Sequence, residues 1–362
     1  MDAAADIAAL LDDAIAAGVC SAAAAAVGAP GRAARWIHGT TRQVPDRGVA
    51  IDRTTRFDLA SLTKPVTALV AHRLIALGRL ADDAPVARWL PTVDPAVTVL
   101  HLLGHASGLP PHVKLYERLW AGERVGALDA RGSLVAMAVA TPLERAPGAA
   151  AAYSDLGYIA LGAVCERAGD APLEDLVAEA MAPLELAATG YVDLRAPGPR
   201  PVAPATEQCP RRGLVEGEVH DENCHAGGGV AGHAGLFAPL DDVAALAATL
   251  ARGPRDGIGA LPAARIERWF TTAAAPATSW RLGVDTPSST PGVSHAGDAW
   301  PRHHAVGHLG FTGTSMWLDW ARGRHAVLLT NRVHPSRDRP EAARIKELRR
   351  AFGDLVWAWL ER

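Results

Sequence analysis

Lysine is scarce in this sequence. Of 36 basic side chains only Lys64, Lys114 and Lys346 are lysines, leaving 33 arginines. Arginine keeps its proton in proteins, whereas a desolvated lysine can serve as a base. Each lysine therefore marks a departure from habit. Excess positive charge is lacking too: 36 basic against 39 acidic residues give a formal net charge of −3. That balance offers no polybasic stripe for nucleic acid or an anionic membrane, and a small-molecule or peptide partner is expected. Cysteine is limited to Cys20, Cys165, Cys209 and Cys224, scattered so that buried free thiols are expected rather than a disulfide framework. No uncharged run reaches the ~18 residues of a membrane span. The N-terminus, Met1-Asp2-Ala3-Ala4-Ala5-Asp6, has no basic signal region, and Gly18-Val19-Cys20 has no positive start before it. A cytoplasmic location is the expectation.

At 362 residues, with 49% hydrophobic and 21% charged side chains, the chain can bury a sizeable core as two domains or one large two-part domain. Residues 7–17 carry helical periodicity, and residues 22–27 with 34–38 read as a hairpin turned at Pro30-Gly31. A long helix opens near Ala60 to Leu62 and stops at Gly78. Further helices are expected over 86–90, 132–140, 155–167, 173–181, 241–250 and 262–270. Residues 280–285 are strand-like, 305–319 and 326–331 read as two strands, and 341–360 as a terminal helix. This order implies a sheet built from both chain ends with a helical region inserted.

One stretch organises the rest: Phe57-Asp58-Leu59-Ala60-Ser61-Leu62-Thr63-Lys64-Pro65. Residues three apart share a helix face, so Ser61 Oγ and Lys64 Nζ can meet. Pro65 is tolerated in a first helical turn and fixes the start of the helix. Ser61 then lies where backbone N–H groups and the positive end of the helix dipole converge, a setting that favours an oxyanion formed in acyl transfer. A capped helix with a surface lysine would produce the same four residues.

A second candidate is Tyr153-Ser154-Asp155, where a phenol and a carboxylate two apart in a loop could face a cleft. The alternative makes Asp155 a helix N-cap and Tyr153 a core aromatic. His101 and His105 read as structural groups at a helix end. His220, Asp221, Cys224 and His225 could be drawn as a metal site, but their nearly consecutive spacing does not suit zinc, and no metal or other cofactor is expected. The glycines of residues 227–235 lack the strand–GxGxxG–helix context of a dinucleotide site and read as close backbone packing near a cleft. The histidines of 286–304 read as part of a solvated loop.

Taken in order, these phrases resemble the serine β-lactamase and penicillin-binding protein superfamily, within it the class C β-lactamase-like group of esterases and peptidases. Ser61-Leu62-Thr63-Lys64 matches S-x-x-K, Tyr153-Ser154-Asp155 resembles Y-x-N, and His308-Leu309-Gly310 resembles the K-T-G or H-T-G element. The resemblance implies an α/β (α+β) fold of β-lactamase/transpeptidase type: an antiparallel sheet flanked by helices, from residues 1–57 and 226–362, plus a mostly helical subdomain, 58–225. It implies that Ser61 attacks a carbonyl to form an acyl-enzyme, with Lys64, Tyr153 or both taking its proton. The backbone N–H groups of Ser61 and Phe311 would form the oxyanion hole, with Asp155, His308 and Gly310 supporting and Leu309 and Thr312 facing substrate.

Three departures bear on substrate. Asp155 in place of Asn should keep Lys64 protonated and move base duty toward Tyr153. Leu309 lacks the hydroxyl that relatives aim at a substrate carboxylate, and His308 is a weaker cation than Lys at neutral pH. The expected function is a serine hydrolase of a small ester or amide, with weak β-lactam hydrolysis at best. A β-lactamase or D-amino-acid peptidase is the nearest alternative, and a catalytically silent binding protein of the same fold is the other. Oligomeric state is not legible.

Overall fold

The computed structural model describes residues 2–196 and 198–362. Helix α1 (Ala3–Ala16) leads into strands β1 (Ala22–Ala29) and β2 (Arg32–Gly39), then β3 (Phe57–Asp58), a 3-10 turn Ala60–Leu62 and helix α2 (Thr63–Ala76). Helices α3 (Val99–Leu103), α4 (Leu115–Trp120), α5 (Ala130–Val139), α6 (Asp155–Gly169) and α7 (Leu173–Met181) follow. Short strands β4 (Gly190–Tyr191), β5 (Gln208–Cys209) and β6 (Gly213–Leu214) precede α8 (Glu222–Ala226), β7 (Leu236–Ala238), α9 (Leu240–Asp256) and α10 (Ala263–Thr271). The chain closes with β8 (Ala305–Leu309), β9 (Ser315–Asp319), β10 (Arg324–Thr330), α11 (Pro340–Ala343) and α12 (Ile345–Leu360).

The main sheet is antiparallel throughout, in the order β2-β1-β10-β9-β8. Its interior strand β1, paired between β2 and β10, is nearly all alanine, which lets helices approach both faces closely. Alternate residues serve different cores: Ala22, Ala24 and Ala26 join the layer of α9, whereas Ala23, Ala25 and Val27 join the layer of α1 and α12. Helix α2 is buried on every side, with Val66, Leu69, Val70 and Leu74 under 3% exposed. It packs on α6, itself buried from Leu156 to Cys165, so the first turns of both helices are held rigidly.

Two expectations about strands need correction. Residues 280–285 form a turn, not a strand. Gly283 sits at φ +119, Gly283 N–H donates to Arg281 O, and only an isolated bridge joins Asp285 to Gly307. Residues 305–319 form two strands, because Gly310 N–H donates to Thr314 O and closes a turn through Gly313 at φ +113. A glycine in the left-handed region is what that turn requires. Cys20, Cys165 and Cys224 are buried and Cys209 is half-buried, all as free thiols. Among the described residues no helix is long and apolar enough to cross a membrane.

Candidate active site

Ser61 sits in the 3-10 turn between β3 and α2. The residue before it, Ala60, adopts the left-handed conformation at φ +48, which costs a non-glycine residue roughly 1 kcal/mol or more. Asp58 holds that geometry: its carboxylate accepts the Ala60 N–H at 2.8 Å and the His220 N–H at 2.7 Å. The turn Gly310–Thr314 then clamps the same segment, as Thr312 Oγ1 donates to Asp58 O at 2.9 Å and Thr314 Oγ1 to Leu59 O at 3.0 Å. A side chain at Gly310 would meet Thr314 Oγ1 and Leu59 O, so the close approach depends on glycine.

From the opposite wall, Ser154 is extended and pinned on three sides. It receives the Gly157 N–H as N-cap of α6, donates its hydroxyl to Pro110 O, and gives its N–H to His105 Nδ1. Residues flanking an extended position point the same way, which turns both Tyr153 and Asp155 toward Ser61. The cap is thus Ser154, and Asp155 is free for another role. Tyr153 packs against His105, 4.8 Å between centroids, and Trp280, 5.4 Å.

These side chains meet. Ser61 Oγ lies 2.5 Å from Tyr153 Oη and 2.9 Å from Lys64 Nζ. Lys64 Nζ also donates to His233 O at 3.0 Å and stands 2.8 Å from Asp155 Oδ1. An ammonium has three N–H donors, and here all three are engaged. Burial pulls the Lys64 pKa down, but the charge of Asp155, followed by Tyr153, outweighs it and the net shift is upward. Burial raises Asp155, yet Lys64 and then His112 hold it well below the usual carboxylate range. Tyr153 is pushed up to about 12 by burial, against the lowering effect of Lys64. The resting state is an ammonium–carboxylate pair beside a neutral phenol.

Ser61, Tyr153, Asp155, Leu309, Gly310 and Phe311 line a cavity of about 630 Å³. Among the described residues, neither the Ser61 N–H nor the Phe311 N–H donates to a protein acceptor. His308 and Thr312 take other places. His308 is buried, its Nδ1–H donates to Leu309 O, and burial and Lys64 lower it to about 3, leaving it neutral. Thr312 is 1% exposed and its hydroxyl is spent on Asp58 O; it holds the turn that carries Ser61 and does not line the cavity.

The histidine cluster is dispersed. His220 pairs with Glu207, Asp221 accepts from Cys224 N–H and pairs with His233, Cys224 Sγ donates to Ala234 O, and His225 faces Glu218. Gly232 lies so close to Tyr158 O and Gly162 that a Cβ would clash, the close packing expected of that glycine run. It lets Gly232 O accept Thr67 Oγ1 and the neighbouring His233 O reach Lys64. Sequence reasoning missed Asp58, His112, Trp280 and Arg349. His112 lies 3.5 Å from Asp155 Oδ2, and His295, assigned to a solvated loop, lines the cavity. Only the Asp-x-Ala-Ser spacing offered a signal, since an aspartate two before a residue can accept its N–H.

A cavity-lining serine at a buried helix start, in hydrogen-bond contact with a lysine and a phenol, is an arrangement suited to a serine hydrolase. The chain belongs to the β-lactamase family, whose model, described as Beta-lactamase, matches residues 7–350. It is similar to Esterase EstB of Burkholderia gladioli, 30% identical over 344 residues and 82% of each chain. It is also similar to N-acetylmuramyl-L-alanine amidase of Bacillus subtilis (strain 168), 30% identical over 309 residues, 77% of this chain and 68% of the amidase. Among solved structures, EstCE1, a hydrolase with promiscuous acyltransferase activity, matches with a TM-score of 0.72 at 23% identity over 98% of both chains.

Proposed function

We propose that the enzyme cleaves a small ester or amide through an acyl-enzyme on Ser61. The contact of Ser61 Oγ with both Tyr153 Oη and Lys64 Nζ at the cavity wall carries this reading. In the first step Ser61 Oγ bonds to the substrate carbonyl carbon and its proton passes to Tyr153 Oη. Tyr153 hands its own proton to the leaving oxygen or nitrogen as that bond breaks, so no free phenolate is required. Lys64 keeps its proton and stabilises negative charge building on Ser61 and Tyr153. The N–H groups of Ser61 and Phe311 receive the carbonyl oxygen as it becomes an oxyanion. Water then attacks the acyl carbon, Tyr153 takes its proton, and Ser61 is released with the proton returned.

Leu309 and the neutral His308 support an ester or amide without a carboxylate beside the scissile bond, in preference to a β-lactam. The four free thiols suit a reducing compartment, and we place the enzyme in the cytoplasm. Ser61→Ala should lower turnover of a nitrophenyl ester by several orders of magnitude. A fluorophosphonate should add one adduct to the parent and none to that variant, read by intact mass. Retained turnover or labelling without Ser61 would sink the proposal. Rates on a chromogenic cephalosporin and D-Ala-D-Ala peptides, compared with the ester, separate the esterase reading from the β-lactamase and peptidase readings.

A further inference from the structure

Helix α12 brings one cation against the turn that follows β8, at the wall of the same cavity. Arg349 is 6% exposed, and its Nη2 donates to Gly310 O and to Thr314 O, both at 2.7 Å. Among the described residues it has no carboxylate within salt-bridge distance, and its Nε has no partner. A buried cation without a counter-charge is costly, so its place here calls for a reason. The turn is already closed by backbone bonds, Gly310 N–H to Thr314 O at 2.7 Å and Gly313 N–H to Gly310 O at 3.1 Å. Closing the turn is therefore not what the guanidinium adds.

What it adds is charge on one particular peptide. Gly310 O belongs to the Gly310–Phe311 amide, whose N–H is the free donor at the cavity. In a trans peptide the C=O and N–H point in opposite directions. Binding the carbonyl from the α12 side fixes the plane and leaves the N–H facing away from α12. A charge-assisted bond to the oxygen also draws electron density from the nitrogen, and linked hydrogen bonds polarise one another.

We propose that Arg349 is a positioning residue of the oxyanion site, orienting and polarising the Gly310–Phe311 peptide so that the Phe311 N–H stabilises the transition state. The proposal rests on the Ser61 acyl-enzyme reading. Loss of an oxyanion donor costs ~10²–10³ in kcat; loss of its support should cost less, about 10–100-fold. The experiment compares parent, Arg349→Met and Arg349→Lys on a nitrophenyl ester and measures inhibition by phenylboronic acid, which forms a tetrahedral adduct on a nucleophilic serine.

For Arg349→Met, kcat should fall about 10–100-fold with KM within about threefold, and boronate affinity should weaken in step with kcat. Arg349→Lys, which keeps the charge, should recover most of both. Where the methionine variant does not fold, Arg349→Gln replaces it with the same expectation. A folded neutral variant with parental kcat overturns the proposal, as does a rise in KM alone, which would make Arg349 a direct substrate contact. A loss of kcat without a matching loss of boronate affinity overturns it too. Persistence of activity in Ser61→Ala, by contrast, would refute the acyl-enzyme reading.

Discussion

Replacing Asp155 by Asn tests the charge state on which the proposed proton path depends. The carboxylate lies 2.8 Å from Lys64 Nζ, and the lysine side chain is wholly buried. At that distance the Coulomb attraction is about 6 kcal/mol for an effective dielectric of ~20. Desolvation offsets much of it, and removing one partner of a buried pair typically destabilises by about 3–5 kcal/mol. In the parent, Lys64 holds its proton more tightly folded than unfolded. The pair therefore contributes fully below the ~10.4 of an unfolded lysine, and the contribution is lost as pH climbs through the higher folded value. Without the carboxylate the order inverts, because burial is the largest influence on Lys64 and it acts downward. The unfolded chain then binds more protons than the folded one, so the stability of D155N rises with pH from neutrality toward ~10. Urea unfolding at pH 7 should show a loss of about 3–5 kcal/mol, and the gap from the parent should narrow at pH 9.5. A lysine that has lost its proton can take the one from Ser61, so Tyr153→Phe should cost less activity in the D155N background than in the parent. Equal stability of D155N and parent at both pH values would refute the reasoning.

Tyr153→Phe alone keeps the packing on His105 and Trp280 but removes the proton carrier. It should lower kcat ~10²–10⁴-fold with little change in melting temperature or KM, measured by steady-state kinetics and calorimetry. Gly310→Ala drives a Cβ into Thr314 Oγ1 and Leu59 O. Overpacking of this kind costs about 1–3 kcal/mol, and because the clash is with the nucleophile loop, ester turnover should fall further than stability. Acid should weaken the fold through its buried neutral histidines: burial lowers His72 and His308 each to about 3. Below the ~6.5 of an unfolded histidine the unfolded chain takes up protons the folded one refuses, at about 1.4 kcal/mol per pH unit for each group. His72→Gln should reduce that slope by one group's share in unfolding measured from pH 6.5 to 4.5, and an unchanged slope would show that His72 is not buried neutral.

The site was legible in the sequence wherever its geometry is local. Ser61 and Lys64 share a helix turn, so spacing put that pair on one face; Tyr153 and Asp155 flank one extended residue, a spacing that equally allowed a core aromatic and an N-cap. The sheet from both chain ends followed from element order, and its first hairpin from the turn signal at Pro30-Gly31. Where glycines set the path the reading failed: Gly283 turns a strand-like run away, and Gly310 with Gly313 folds one expected strand into two. Thr312 looked like a substrate contact because it follows the motif, yet the turn directs its hydroxyl to Asp58 O.

The covalent order of residues determined which chemistry this chain can offer: a hydroxyl and an amine one helical turn apart, and a phenol and a carboxylate flanking one residue, two pairs that only the tertiary fold brings together across 92 positions. The tertiary structure decided their charges. Asp155, His112 and His233 O converge on the lysine and its carboxylate from separate elements, and burial neutralises His308 and holds the Tyr153 proton. Arg349 reaches the Gly310 carbonyl across 39 positions of chain. Protonation and peptide orientation depend on desolvation and on neighbours distant in sequence, and these exist only once the layers have packed.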